Sequence, residues 1–279
     1  MKNRSSWFLL TAGLKPTNFE DAAKRVVMDS KNLFTFKKTI NLGVDNFQEL
    51  CPLTFRKYGK YLNSQTRGFG FYSWKAEFVH NALSGKFGKC DGIVWIEGGC
   101  EVYSSYWTRK KFNSQIMQVE KNGYGVYTLQ TPERNYTKND LINKFSIEYV
   151  ERPIGQFQAT HFFLYGKVGR LIAREWSDCC LEDISNLDLF PSKNGEIEGF
   201  VEHRSDQSVL SLTIKKLGLM ANLHTPPAGN RGLKSIMIAV LYPVWVTRNR
   251  TGKSIIPYWL KKIGLISISL SFTKQKKSI

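Results

Sequence analysis

The sequence predicts an α/β fold, helices layered over a central sheet, on three observations. Segments with strand-like and helix-like periodicity alternate along the 279 residues. One of them, Gly92–Ile96 (GIVWI), is a continuous apolar run of the kind a sheet buries on both faces. Clusters of glycine and polar residues sit at segment ends, where open α/β sheets form their binding clefts. The chain is 42% hydrophobic and 13% aromatic, with no low-complexity tract and no solenoid repeat, so it can bury a substantial core. Its length allows one large domain or two small ones.

The elements follow in order. Ser6–Thr11 is a short apolar strand ending in a turn at Ala12-Gly13. Asn18–Ser30 has helical spacing in Phe19, Ala22, Ala23, Val26 and Val27, with Asn18 placed as the N-cap. Thr35–Leu42 alternates like a strand, and Thr54–Leu62 is basic and aromatic without a clear period. Gly68–Ser84 opens on glycines and turns helical through Ala76, Val79 and Ala82. After the GIVWI strand, Gly123–Leu129 alternates as another strand, and Lys138–Phe145 is helical. Phe157–Tyr165 is one apolar strand, and Val168–Leu181 is a helix. A last helix runs from Asp206 to about Leu219.

The net charge is +17, and it is unevenly placed. Twelve Lys and Arg, and no acidic residue, follow Asp206. Such segregation implies an anionic partner near the C-terminal third: a nucleotide diphosphate, an acidic membrane surface or nucleic acid. The five cysteines include no CxxC pair, so they indicate neither a zinc site nor a disulfide framework, and reduced thiols in the cytoplasm fit them best. Trp7–Leu10 is too short an apolar run for a signal peptide and reads as a buried first strand. Ile236–Val246 and Ile255–Phe272 are too short or too interrupted to span a bilayer, which takes about 20 apolar residues. Tyr258–Leu270, with its paired lysines, suits either peripheral contact with an anionic membrane or packing as a last strand or helix.

Three clusters carry chemistry. Gly199–Leu212 packs Glu202, His203, Arg204, Asp206 and Gln207 ahead of an apolar helical run. That arrangement fits a loop-to-helix junction presenting polar groups to a ligand, with Asp206 near a helix N-terminus that stabilises a carboxylate. The same residues also fit an ordinary N-cap and a solvated ion pair. Glu97 and Glu101 bracket Gly98-Gly99 at the end of the GIVWI strand. Paired carboxylates there suit a divalent cation or a ribose, and a solvated turn is the plain alternative. Arg67–Lys75 (RGFGFYSWK) sets cations beside glycines and aromatics, with Arg67 and Lys75 placed for phosphate and the aromatics mostly for the core.

Together these clusters resemble a family of bacterial glycosyltransferases of polysaccharide biosynthesis, whose pattern runs RGYGYWxWKP, DAGCE and EHRHDQSxxSLL. Order and spacing agree over about Leu9 to Leu219. The chain departs at Glu97 for Asp, Gly98 for Ala, Ser205 for His, and Ala76 for Pro. The resemblance implies a GT-A-like nucleotide-sugar-binding fold, a mixed central sheet flanked by helices, over residues 1–235. Residues 236–279 then form a basic, apolar C-terminal extension. It implies Mn²⁺ or Mg²⁺ on Glu97 and Glu101, and donor contacts from Arg67, Lys75, Arg204 and Gln158. Asp206 and Gln207 fall beside the reacting sugar; His203 joins them as a metal ligand or hydrogen-bonding wall, with a structural histidine as the plain alternative, and His224 is a weaker late metal ligand. The partners implied are a nucleotide-sugar donor and a carbohydrate or lipid-linked acceptor. Two other classes stay open: a sugar- or nucleotide-binding relic without catalysis, and a nucleic-acid binder. The second rests on charge alone, since no helix-turn-helix, zinc-finger or RNA-recognition signature is present.

Overall fold

The structure, a computed structural model, describes residues 5–14, 18–146, 155–223, 242–248 and 251–253. A five-stranded sheet has the order β2-β1-β3-β8-β5. Its strands are β1 (Trp7–Ala12), β2 (Lys38–Leu42), β3 (Gly92–Ile96), β5 (Tyr124–Gly125) and β8 (His161–Tyr165). β1 runs parallel to both β2 and β3, whereas β8 runs against β3 and β5. The sheet is therefore mixed, and helices cover it. Two small antiparallel pairs flank it: β4 (Cys100–Val102) with β9 (Val244–Val246), and β6 (Thr128–Pro132) with β7 (Gly155–Phe157).

Alternation along the strands divides the core in two. Phe8, Leu10, Ile93, Trp95, Phe162 and Leu164 join the cluster under the helices Ser73–Leu83, Gly166–Glu182 and Ser205–Lys216. Trp7, Leu9, Val94, Ile96 and Phe163 join the cluster formed with Val26, Phe112, Ile116 and Val119. Ile93 to Ile96 are fully buried, as the apolar run predicts.

The helices at Asn18–Ser30, Asn139–Phe145 and Gly166–Glu182 match the sequence pattern closely. Two expected strands are broken. Gly123–Leu129 divides into β5 and β6 because Asn222 inserts beside it: its Oδ1 accepts from Val126 N (3.1 Å) and its Nδ2 donates to Tyr124 O (2.8 Å). Phe157–Tyr165 divides into β7 and β8 at Gln158–Thr160, where Gln207 Oε1 accepts from Ala159 N (3.3 Å) and Thr160 O accepts from Glu97 N (3.0 Å).

The helix Tyr106–Asn122 was not legible in advance. It opens on a capping box, Thr108 N donating to Ser105 Oγ (3.2 Å) and Ser105 N to Thr108 Oγ1 (2.7 Å). Thr108, Phe112, Gln115, Ile116 and Val119 form its buried stripe, while Trp107 and Met117 place large apolar groups on the exposed face and blur the period.

β9 lies past the expected boundary at residue 235 and still packs on the main body, with Tyr103 N donating to Pro243 O (2.9 Å). His224 and Tyr258–Leu270 lie outside the described residues. Among the described residues no helix is long and apolar enough to cross a membrane. All five cysteines are unpaired.

Candidate active site

A cavity of about 480 Å³ opens beyond the C-terminal ends of the parallel strands β1 and β3, with Ala12 and Glu97 both in its wall. This is the position where open α/β sheets hold ligands. Seven of the expected site residues line it: Arg67, Lys75, Glu97, Gln158, Arg204, Asp206 and Gln207.

Lys75 is the centre of the site. It stands on the first turn of Ser73–Leu83 with its side chain 2% exposed. Its Nζ lies 2.7 Å from Asp206 Oδ2 and 3.5 Å from Glu97 Oε1. The rings of Tyr72 and Trp95 flank the ammonium at 4.9 and 5.3 Å. Burial works against the ammonium, but the Asp206 and Glu97 carboxylates outweigh it and hold its pKa above the ordinary value. Asp206 Oδ2 makes this ion pair without an aligned hydrogen bond. Burial pushes the Asp206 carboxyl up to about 6; Lys75 opposes that rise and Glu97 adds to it.

Unusual backbone delivers both partners. Gly68, Phe69, Gly70, Phe71 and Tyr72 have φ of 63°, 56°, 89°, 56° and 60°, a left-handed turn running into the Lys75 helix. L-residues pay about 1–2 kcal/mol each for this conformation. A Cβ on Gly68 would come within 2.3 Å of the Tyr72 ring, so only glycine lets that ring fold back over the turn. Trp74 Nε1 closes it by donating to Gly68 O (3.0 Å). On the facing wall Ser205 has φ 43°, immediately before Asp206. Backbone strain thus stands on both sides of the ion pair.

The remaining groups form the rim and walls. Arg204 stacks on the Tyr136 ring at 3.6 Å, and its Nη1 is 3.4 Å from both Thr131 Oγ1 and Gln156 Oε1. Gln207 spends its amide on the wall, donating to Gln156 Oε1 (2.6 Å) as well as accepting from Ala159. Gln158 Nε2 donates to Thr160 Oγ1. Ser208 and Ser211 of the same motif are scaffold. Ser208 Oγ donates to Tyr136 O (2.8 Å), and Ser211 Oγ accepts from Phe157 N (2.9 Å).

Two expected site residues stand elsewhere. Glu101 lies in β4, fully buried, with its Oε1 2.9 Å from Arg25 Nη1. His203 is 3% exposed; its Nδ1 accepts from Lys138 N (3.3 Å) and its Nε2 is bonded to Asn186 O (3.0 Å). Burial lowers its pKa to about 3, so it is a neutral structural histidine. The expected pair of metal acids is therefore separated. Glu101 is committed to Arg25, Glu97 shares the Lys75 ammonium with Asp206, and no group of three His, Cys, Asp or Glu suited to a metal occurs among the described residues. Glu97 and Glu101 therefore do not form a joint Mn²⁺ or Mg²⁺ site.

Sequence reasoning missed Arg25 and Arg248. Arg25 donates from Nη2 to Gly98 O (3.1 Å), from Nη1 to Cys100 O (3.0 Å), and from Nε to Thr251 O (3.1 Å), so it fixes the turn behind Glu97. Its position on the apolar stripe of Ala22 and Val26 was a readable signal of a buried cation. Arg248 lines the cavity, its Cα 3.4 Å from where a Cβ on Gly99 would stand. It comes from a remote segment, and nothing local in the sequence pointed to it.

The fold is similar to solved glycosyltransferase structures. Apo mouse xyloside xylosyltransferase 1 aligns over 86% of this chain and 97% of its own, at 10% identity and a TM-score of 0.44. The apo WbbM bifunctional glycosyltransferase aligns over 88% of this chain, at 9% identity and a TM-score of 0.46. The alignment covers 46% of the WbbM chain. No family model matches the sequence, and no curated protein matches it.

Proposed function

We propose that the protein transfers a glycosyl group from a nucleoside diphosphate donor to an acceptor hydroxyl. The observation that carries this reading is the Asp206–Lys75–Glu97 cluster in a cavity at the ends of parallel strands, with Arg67 and Arg204 on its rim. In the reaction the acceptor oxygen bonds to the anomeric carbon as the bond from that carbon to the diphosphate breaks. The diphosphate leaves with the electron pair, and Lys75, Arg67 and Arg204 supply the positive charge that stabilises it. Asp206, whose carboxyl ionises near pH 6, takes the acceptor proton. Glu97, with its side chain 28% exposed, is the acid within reach of the sugar hydroxyls. The motif resemblance supports surface polysaccharide assembly at the cytoplasmic face, with a carbohydrate or lipid-linked acceptor.

Thermal unfolding with a panel of nucleoside diphosphates, with Mn²⁺ and with a chelator, tests this. One of them is expected to raise Tm by about 5 °C or more at a hundred times its Kd, in chelator as in Mn²⁺. Asp206→Asn is expected to keep that shift and to lose donor turnover at least about a hundredfold. Near-normal turnover in that variant, or no nucleotide shift under any condition, defeats the reading.

A further inference from the structure

The rim of the cavity carries an internal anion. Glu202 sends one carboxylate oxygen to Arg67, from a remote segment, and the other to Arg204, two residues further along its own loop. Its Oε2 is 3.1 Å from Arg67 Nη1, and its Oε1 is 3.5 Å from Arg204 Nε. All three residues line the cavity. Two guanidinium groups brought together around one carboxylate form a fork that matches an oxyanion of phosphate type. The fork exists before any ligand arrives, because Arg204 is already held by the Tyr136 ring, Thr131 and Gln156.

The carboxylate itself is easily released. The Arg67 and Glu202 side chains are 40% and 42% exposed, and ion pairs this open contribute little. The Glu202 backbone is tethered separately: Val201 N and Glu202 N both donate to Asn135 O, at 2.8 and 3.4 Å. The side chain can therefore leave the fork while the loop stays in place. Arg248 adds a third arginine to the same cavity, while Lys75 is balanced by Asp206 and Glu97, so withdrawal of Glu202 leaves a rim of arginines that attracts an anion.

We propose that Glu202 occupies, in the free protein, the place between Arg67 and Arg204 that the diphosphate of a ligand takes, so that binding is an exchange of one anion for another. That the natural ligand is a nucleoside diphosphate rests on the transferase reading above; the exchange itself does not. Glu202 then sets affinity by competing with the ligand, and its loss tightens binding.

Inorganic pyrophosphate is the probe, because it needs neither nucleoside nor sugar. Calorimetric titration at low salt compares wild type with Glu202→Gln and Glu202→Asp, two changes at a half-exposed side chain. Glu202→Gln is expected to tighten pyrophosphate binding by about fivefold, the scale of one open ion pair. Glu202→Asp keeps the charge but falls a methylene short of the fork, and is expected to give an intermediate gain. Arg67→Ala in the Glu202→Gln background is expected to remove the gain. Weaker or unchanged binding in Glu202→Gln overturns the proposal, as does pyrophosphate binding to neither protein. A gain in Glu202→Gln with Glu202→Asp equal to wild type also overturns it, because bulk charge alone then accounts for the effect. If the exchange holds while no nucleoside diphosphate binds, the transferase reading fails and the anion site stands.

Discussion

Arg25–Glu101 and Lys75–Asp206 are two buried ion pairs set against the same glycine turn. Behind the turn, Arg25 meets Glu101 and also donates to three backbone carbonyls, those of Gly98, Cys100 and Thr251. In front of it, Lys75 meets two carboxylates and two aromatic rings, and Asp206 Oδ2 has no aligned hydrogen bond. A buried charge bonded both to its partner and to surrounding backbone carbonyls holds structure. One with capacity left over, facing a cavity, is available to a ligand.

The largest expected effect comes from breaking the satisfied pair. Arg25→Ala takes the guanidinium away from the buried Glu101 carboxylate and from three backbone carbonyls, and should cost about 3–5 kcal/mol of folding stability, read by urea denaturation. A loss below about 1 kcal/mol would remove the distinction between the two pairs. Lys75→Met should cost less, about 1–3 kcal/mol, because the cavity admits water to the acids it leaves behind. It should also weaken nucleoside diphosphate binding about tenfold or more, whereas a variant that bound normally would take Lys75 out of the site.

The pH dependence sharpens the comparison at smaller amplitude. Burial lowers His161 to about 4 and His203 to about 3, from 6.5. The folded chain then holds fewer protons than the unfolded one across those windows, so stability falls as pH drops from 6.5 toward 4. Asp206 acts in the opposite sense. Its carboxyl is raised from 3.8 to about 6, so the folded chain holds more protons there and loses stability as pH rises through that window. Asp206→Asn removes only this counter-slope. Urea midpoints between pH 4 and 6 should therefore fall more steeply on acidification in the variant than in wild type. Parallel profiles would show that Asp206 ionises normally. The smallest change is Gly98→Ala, whose Cβ would stand 3.2 Å from Ala12 O and 3.3 Å from Ala23 N. A loss of about 1 kcal/mol is expected in the same denaturation assay.

Local pattern made much of this legible. The GIVWI run announced the central strand, and three motifs delivered six of the expected site residues to one cavity. What failed were inferences needing a partner from far along the chain. Glu101 and Glu97 are four residues apart and look like a pair, yet Glu101 sits in β4, opposite Trp245 in β9, and meets Arg25. His203 adjoins Arg204 and is claimed by Lys138 and Asn186. The strand pattern through Phe157–Tyr165 broke where Gln158–Thr160 turns aside to line the cavity. Period-2 logic assumes an uninterrupted ladder, and ligand sites form where ladders stop.

The left-handed turn from Gly68 to Tyr72 spaces two cations of the site. It is a spring wound against the natural handedness of its own residues, with Arg67 at one end and Lys75 just beyond the other. Its length sets how far apart those two cations stand. A one-residue deletion there would shift the rim arginine relative to the buried ammonium while leaving every charged side chain in the sequence.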